Sequence, residues 1–178
     1  MSESTVALRY AKSLISLAQE QKVVDAVYSD MALFKKVADD NRNLMLALRS
    51  PVVRHDRKMA ILEKVFKDKV NPVSYSIFTI VTKKNREAIM YGIADEFIKL
   101  YDDAKGIVKA QIISAVPLTA DLRQEFVKIV ADATGKTVEL EEKTDEKLIG
   151  GYLLRVGDRQ IDASIRKRLN DLKLKLLN

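Results

Sequence analysis

The chain has 178 residues, 47% hydrophobic and 31% charged, the balance of a soluble globular protein with one domain or two small ones. It holds no Cys, no Trp and one His, so disulfides, thiolate nucleophiles and zinc sites built on Cys are excluded. A net charge of +6 and a pI of about 9.4 raise nucleic acid or anionic lipid as partners, although Lys and Arg are interleaved with Asp and Glu throughout.

Residues 1–104 read as six helical segments with no strand among them. Ser4 or Thr5 caps the first, which runs to about Gln21. The second covers Val23 to Asp39, with Val23, Val27, Met31 and Phe34 on one face. A short third, Asn43 to Arg49, stops before Pro51, because a residue preceding proline avoids the helical region. The fourth spans Arg54 to Phe66. Asn71-Pro72 starts the fifth, since proline suits a first helical turn, and Lys84 ends it. The sixth runs from Arg86 to Asp103, with Ile89, Ile93, Phe97 and Leu100 as its stripe. Short links between these segments predict a compact bundle.

The period changes at Lys105-Gly106. Val108, Ala110, Ile112 and Val116 alternate as in a strand, which Pro117 ends. Leu118, Leu122, Phe126, Ile129 and Val130 define a helix closed by Gly135. Val138 and Leu140 mark a second strand, and Glu141 to Lys147 reads as a charged turn. A third strand, Tyr152 to Val156, leads to the turn Gly157-Asp158. Asp162 or Ser164 then caps a last helix with Ile165, Leu169, Leu172 and Leu176 on one face. The fold class is therefore mixed: an all-α six-helix bundle over 1–104, then a small α/β domain over 105–178, β-α-β-β-α, with room for one more short strand after the turn.

Two helices carry more apolar face than a surface position needs. In the first, Val6, Ala7, Leu8, Tyr10, Ala11, Leu14, Ile15, Leu17 and Ala18 cover roughly 200° of arc at about 100° per residue. In the fifth, Val73, Tyr75, Ile77, Phe78, Ile80 and Val81 cover roughly 220°. Either both helices are central in the bundle, or a groove between them stays open to receive an amphipathic helix.

Signatures of catalysis fail. Gly135-Lys136-Thr137 resembles the end of a phosphate loop, but Val130 stands where that loop needs Gly. His55 has no evident orienting partner in the local sequence and reads as a surface residue. The pairs Asp39-Asp40, Asp102-Asp103 and Glu141-Glu142 read as solvated charges. No run approaches the roughly 20 apolar residues that span a bilayer, and Met1-Ser2-Glu3-Ser4-Thr5 opens neither a secretory signal nor an Arg-rich transit peptide.

The C-terminal residues carry a resemblance. Asp145-x-x-Leu148-Ile149-Gly150-Gly151, Arg155-Val156-Gly157-Asp158 and Ile161-Asp162-x-Ser164, followed by Leu169 and Leu172, resemble the signature of the δ subunit of F-type ATP synthases, whose mitochondrial counterpart is the oligomycin sensitivity-conferring protein. Arg9-Tyr10-Ala11-Lys12-Ser13-Leu14, Leu48-Arg49-Ser50-Pro51-Val52-Val53, Asn85-Arg86 and Ala110-x-Ile112-x-Ser114-Ala115 are similar to the family in the same order. Ala163 departs from it, standing where the family often has Gly.

The resemblance implies a stator subunit that joins the catalytic α/β head to the peripheral stalk of b subunits, so that the head does not rotate. It implies no catalytic residue, cofactor or metal. The setting it implies is peripheral, on the cytoplasmic side of a bacterial cell membrane. The N-terminal domain is expected to bind the N-terminal helix of an α subunit through Tyr10, Ala11 and Leu14 on the first helix and Tyr75, Phe78 and Val81 on the fifth. The C-terminal domain is expected to meet the C-termini of the b subunits. Gly150, Gly151, Arg155, Gly157, Asp158, Asp162 and Ser164 are then structural. The alternative is a basic helical module that binds nucleic acid.

Overall fold

A computed structural model describes residues 3–157 and 159–177. The chain divides into two compact units, Met1–Asp102 and Asp103–Asn178. The first is helical: α1 (Glu3–Glu20), α2 (Val24–Asp40), α3 (Arg42–Arg49), α4 (His55–Phe66), α5 (Pro72–Lys83) and α6 (Met90–Lys105). The expected sixth helix begins as a single 3-10 turn, Glu87–Ile89, because Asn85 takes a left-handed φ of 52° and reverses the chain just before it.

The core of this unit centres on Phe34, Phe66 and Phe78, whose ring centroids lie 5.2–5.6 Å apart. Around them pack Leu14, Met31, Leu48, Leu62, Ile93 and Phe97, all fully buried. The buried edge of α1 is mostly alanine, Ala7, Ala11 and Ala18 around Leu14, so its neighbours approach closely. A Cβ on Gly92 of α6 would lie 3.3 Å from the Ala7 methyl.

Two buried polar contacts fix the helices against one another. Asp30, on α2, accepts hydrogen bonds from the Asn71 N–H at 2.8 Å and the Ser74 hydroxyl at 2.6 Å. Both donors stand at the start of α5, where the free N–H groups and the helix dipole favour an anion. The Asn71 side chain caps the same turn by accepting from the Val73 N–H. On the other side, Lys58 of α4 pairs with Glu87 at 3.4 Å, with side chains 8% and 4% exposed.

The second unit is a four-stranded mixed sheet in the order β2-β1-β3-β4, with β1 (Ile107–Ser114), β2 (Thr137–Thr144), β3 (Tyr152–Val156) and β4 (Arg159–Asp162). The optional short strand is present as β4. α7 (Ala120–Thr134) makes the crossover between the parallel pair β1 and β2, and α8 (Ile165–Leu177) ends the chain. Ala110, Ile112, Leu154, Phe126 and Val130 form the core under α7. Thr119 caps α7 and Gly135 closes it at φ 67°. The segment expected to be a charged turn from Glu141 is strand as far as Thr144. Its charges are satisfied sideways, Glu141 by Gln111 and Lys143, Glu142 by Arg123, which is how an edge strand carries them.

Removing the Asp30 carboxylate leaves two donors unpaired at the start of α5, the buried Ser74 hydroxyl and the part-buried Asn71 N–H. Asp30→Ala is expected to destabilise the helical unit by about 3 kcal/mol, read as a lowered denaturation midpoint. Loss below about 0.5 kcal/mol would show that water replaces the contact.

Candidate functional site

The apolar excess on α1 and α5 divides between core and surface. Ala11 and Leu14 are 0% and 2% exposed, Phe78 and Val81 1% and 0%. These four expected partner contacts are buried in the protein's own core, and their burial has a geometric cause. Helices in the middle of a bundle meet neighbours on several sides, so a wide apolar arc is needed before any partner arrives. Tyr10 and Tyr75 are half-buried at the margin.

What remains outside is narrower. Leu17 of α1 is 37% exposed and Ile80 of α5 47%. Leu17 follows Tyr10 by seven positions, on the same flank. That flank lies towards the end of α5, because Arg86, just past α5, donates from Nη1 to the Tyr10 hydroxyl at 3.2 Å. α1 and α5 pack against each other. Outside the core, α1 thus presents Tyr10, Ser13 and Leu17 on one flank, and α5 presents Ile80. Leu17 and Ile80 were legible within the two apolar arcs, but sequence alone did not separate them from the core positions.

The signature residues form the base of α8. The Ile165 N–H donates to the Gly150 carbonyl at 3.0 Å and the Ala163 N–H to the Tyr152 carbonyl at 2.9 Å. Ser164 caps α8 by accepting from the Lys167 N–H at 3.2 Å. Asp162 accepts from the Ser164 N–H at 2.9 Å, and the bonds from Ser164 hold its carboxyl below the usual range. Arg155 donates to Gln160 across β3 and β4. At Gly151, φ is +81° and a Cβ would stand 2.4 Å from the Ala163 carbonyl oxygen, so the close backbone approach requires glycine. Gly157 also has positive φ, while Asp158 lies outside the described residues. Ala163 is not among the positive-φ positions, so alanine fits there without strain.

Above this base α8 carries its stripe in the open. Ile165, Leu169, Leu172 and Leu176 are 42%, 54%, 55% and 79% exposed. Arg166, Lys167, Arg168 and Lys173 flank the stripe and are exposed as well.

The remaining polar candidates have ordinary partners. His55 is exposed, and Asp56, its immediate neighbour, lies 2.8 Å from its Nε2, so an orienting carboxylate does stand in the local sequence. Asp39 accepts from Tyr91, and Asp103 pairs with Lys136. Asp102, expected to be solvated, is buried at 8%. Among the described residues no cluster of His, Asp or Glu is arranged to hold a metal ion, and no helix is long and apolar enough to cross a membrane.

Comparison with known proteins identifies the family. Residues 6–176 match the ATP synthase delta (OSCP) subunit family. The ATP synthase subunit delta of Cytophaga hutchinsonii is 43% identical over 98% of this chain and 96% of its own length. That of Salinibacter ruber is 35% identical over 97% and 90%. A chain in the Toxoplasma gondii mitochondrial ATP synthase hexamer shares the fold, with a TM-score of 0.72 and 22% identity over 97% of both chains. The chain belongs to the ATP synthase delta (OSCP) family, which leaves the nucleic-acid alternative without support.

The signature glycines should differ in severity from a simple helix-closing one. Gly135→Ala meets open space and only an unfavourable φ, so about 1 kcal/mol is expected. Gly151→Ala adds a backbone collision and should cost about 3 kcal/mol or more. Hydrogen exchange of β1 and β3 measures both, and equal protection in the two variants would contradict the tight approach.

Proposed function

We propose that this chain, a non-catalytic stator subunit of an F-type ATP synthase, works as a clamp with one apolar grip on each of its compact units. The helical unit takes the N-terminal helix of an α subunit along α1 and α5. The α/β unit meets the C-termini of the b subunits along α8. The complex holds the chain at the cytoplasmic side of a bacterial cell membrane.

The supporting observation is that each unit has a core of its own and still leaves an apolar helix surface uncovered: Leu17 with Ile80 on one, the Leu169 and Leu172 stripe on the other. A contiguous apolar stripe such as that on α8 marks an interaction site. Helix-in-groove contacts of standard size, about 1,200–2,000 Å² in total, are sufficient for stable attachment. A stator must transmit torque without yielding, and directionless apolar contact alone would let a docked helix slide. The half-buried Tyr10, held by Arg86, gives the groove a fixed polar point. On α8 the flanking basic residues give orientation, since each exposed ion pair contributes little affinity, about 0–1 kcal/mol.

The assignment of Tyr10 and Tyr75 is kept within this reading, with Leu17 and Ile80 replacing Ala11, Leu14, Phe78 and Val81 as surface contacts. The variant Leu17→Asp with Ile80→Asp should stay folded with a modest loss of stability, because both side chains are already in part exposed. Its affinity for a peptide of about 20 residues from the N-terminus of the α subunit should fall about 30-fold, or about 2 kcal/mol. Titration calorimetry on the full chain measures this, and unchanged affinity would remove the groove assignment. Leu169→Asp with Leu172→Asp should leave that titration unaltered and weaken binding of the C-terminal segment of the b subunits.

A further inference from the structure

A cleft with two guanidinium groups on its lining stands beside Tyr10 of α1. Val6, Arg9, Tyr10, Ser13 and Arg86 line it, around a volume of about 260 Å³, with no acid among them. Arg9 is exposed on α1, and Arg86 reaches in from beyond α5 to the Tyr10 hydroxyl. Among the described residues, neither guanidinium has a carboxylate partner. This contrasts with Lys35 and Lys99, which converge on Asp95 in the same unit.

We infer that this cleft receives an acidic side chain of the docked helix, with Arg9 and Arg86 as its counter-charges and the Tyr10 hydroxyl as a third donor. The inference rests on the α1/α5 groove reading and adds the chemistry and register of the helix that occupies it. A guanidinium presents a planar fork of N–H donors that matches a carboxylate, and two such groups around one cleft leave a local excess of positive charge. The Tyr10 oxygen accepts from Arg86, so its own O–H is available to donate to the same anion. The cleft is continuous with the apolar flank of α1, so an anion carried on an amphipathic helix satisfies the two regions together. Tyr10 and Leu17 are seven residues apart on α1, which at about 1.5 Å per residue is about 10 Å along the helix. The docked helix should therefore carry its acid about seven residues from the apolar side chain that sits on Leu17. That separation fixes register, which an apolar groove alone leaves free.

The test is a set of titrations with the full chain. The probes are a peptide from the N-terminus of the α subunit and copies in which each Asp or Glu is changed singly to Asn or Gln. For one acid, the change should weaken binding to the native chain about fivefold to tenfold. Arg86→Gln should weaken binding of the unsubstituted peptide by a similar factor and show no further loss with the altered copy. Arg9→Gln, on an exposed helix face, should behave in the same direction and guards against a folding defect in the first variant. The native chain's affinity should also fall more steeply with salt than that of Arg86→Gln. If both arginine variants bind every peptide as the native chain does while Leu17→Asp with Ile80→Asp fails to bind, the groove stands and the acid subsite is overturned. Additive losses for Arg86→Gln and every peptide change would overturn it too. Absence of binding by the native chain would overturn the groove reading itself.

Discussion

The helical unit depends on a buried carboxylate at the head of α5. Asp30 receives the Asn71 N–H and the Ser74 hydroxyl at hydrogen-bond distance in a site almost closed to water. A charge placed there is tolerated because the helix terminus supplies both free donors and a positive dipole end. The contact pins α5 to α2, and α5 in turn packs on α1. α1 inserts by its alanine edge, which leaves its Tyr10 and Leu17 flank outside the core. The surface of Tyr10, Leu17 and Ile80 is thus a by-product of core geometry, fixed by interactions that never touch a partner.

The α/β unit solves a different problem. Its last helix holds an apolar stripe out into solvent, although burial would be the favourable course. The signature stretch makes this mechanically sound. Gly150, Gly151, Asp162 and Ser164 tie the start of α8 to the loop before β3 through backbone hydrogen bonds and a contact only glycine permits. The residues that identify the family therefore build the mount, and the helix standing on it carries the exposed surface. The two units share one logic: polar and backbone contacts set position, while some apolar side chains stay exposed.

Much of this was legible in the sequence. The apolar periodicity located the helices, and Asn71-Pro72, Gly135 and Ser164 marked boundaries through known capping chemistry. The family residues around Gly150 and Gly151 pointed to close backbone approach, which the Ala163 carbonyl explains. Long-range pairing was not legible. The burial of Lys58 and Asp30 left no mark in the local sequence, because the groups that allow it are 29, 41 and 44 residues away. The β2 edge read as a turn because its charges were counted without the neighbours that pair them. Ala11, Leu14, Phe78 and Val81 read as contacts because an apolar arc of roughly 200° does not say which part meets the core. That division is decided by neighbouring helices, and it leaves Leu17 and Ile80 outside.

The central claim is that one chain holds two partners through two separate apolar surfaces and that both are needed to resist torque. ATP-driven proton pumping tests it most directly, in membranes depleted of the native protein and reconstituted with this chain. Disabling either surface alone, by Leu17→Asp with Ile80→Asp or by Leu169→Asp with Leu172→Asp, should leave ATP hydrolysis in place and abolish pumping, with the partner of the intact surface still bound. Full pumping with either surface disabled would contradict the account.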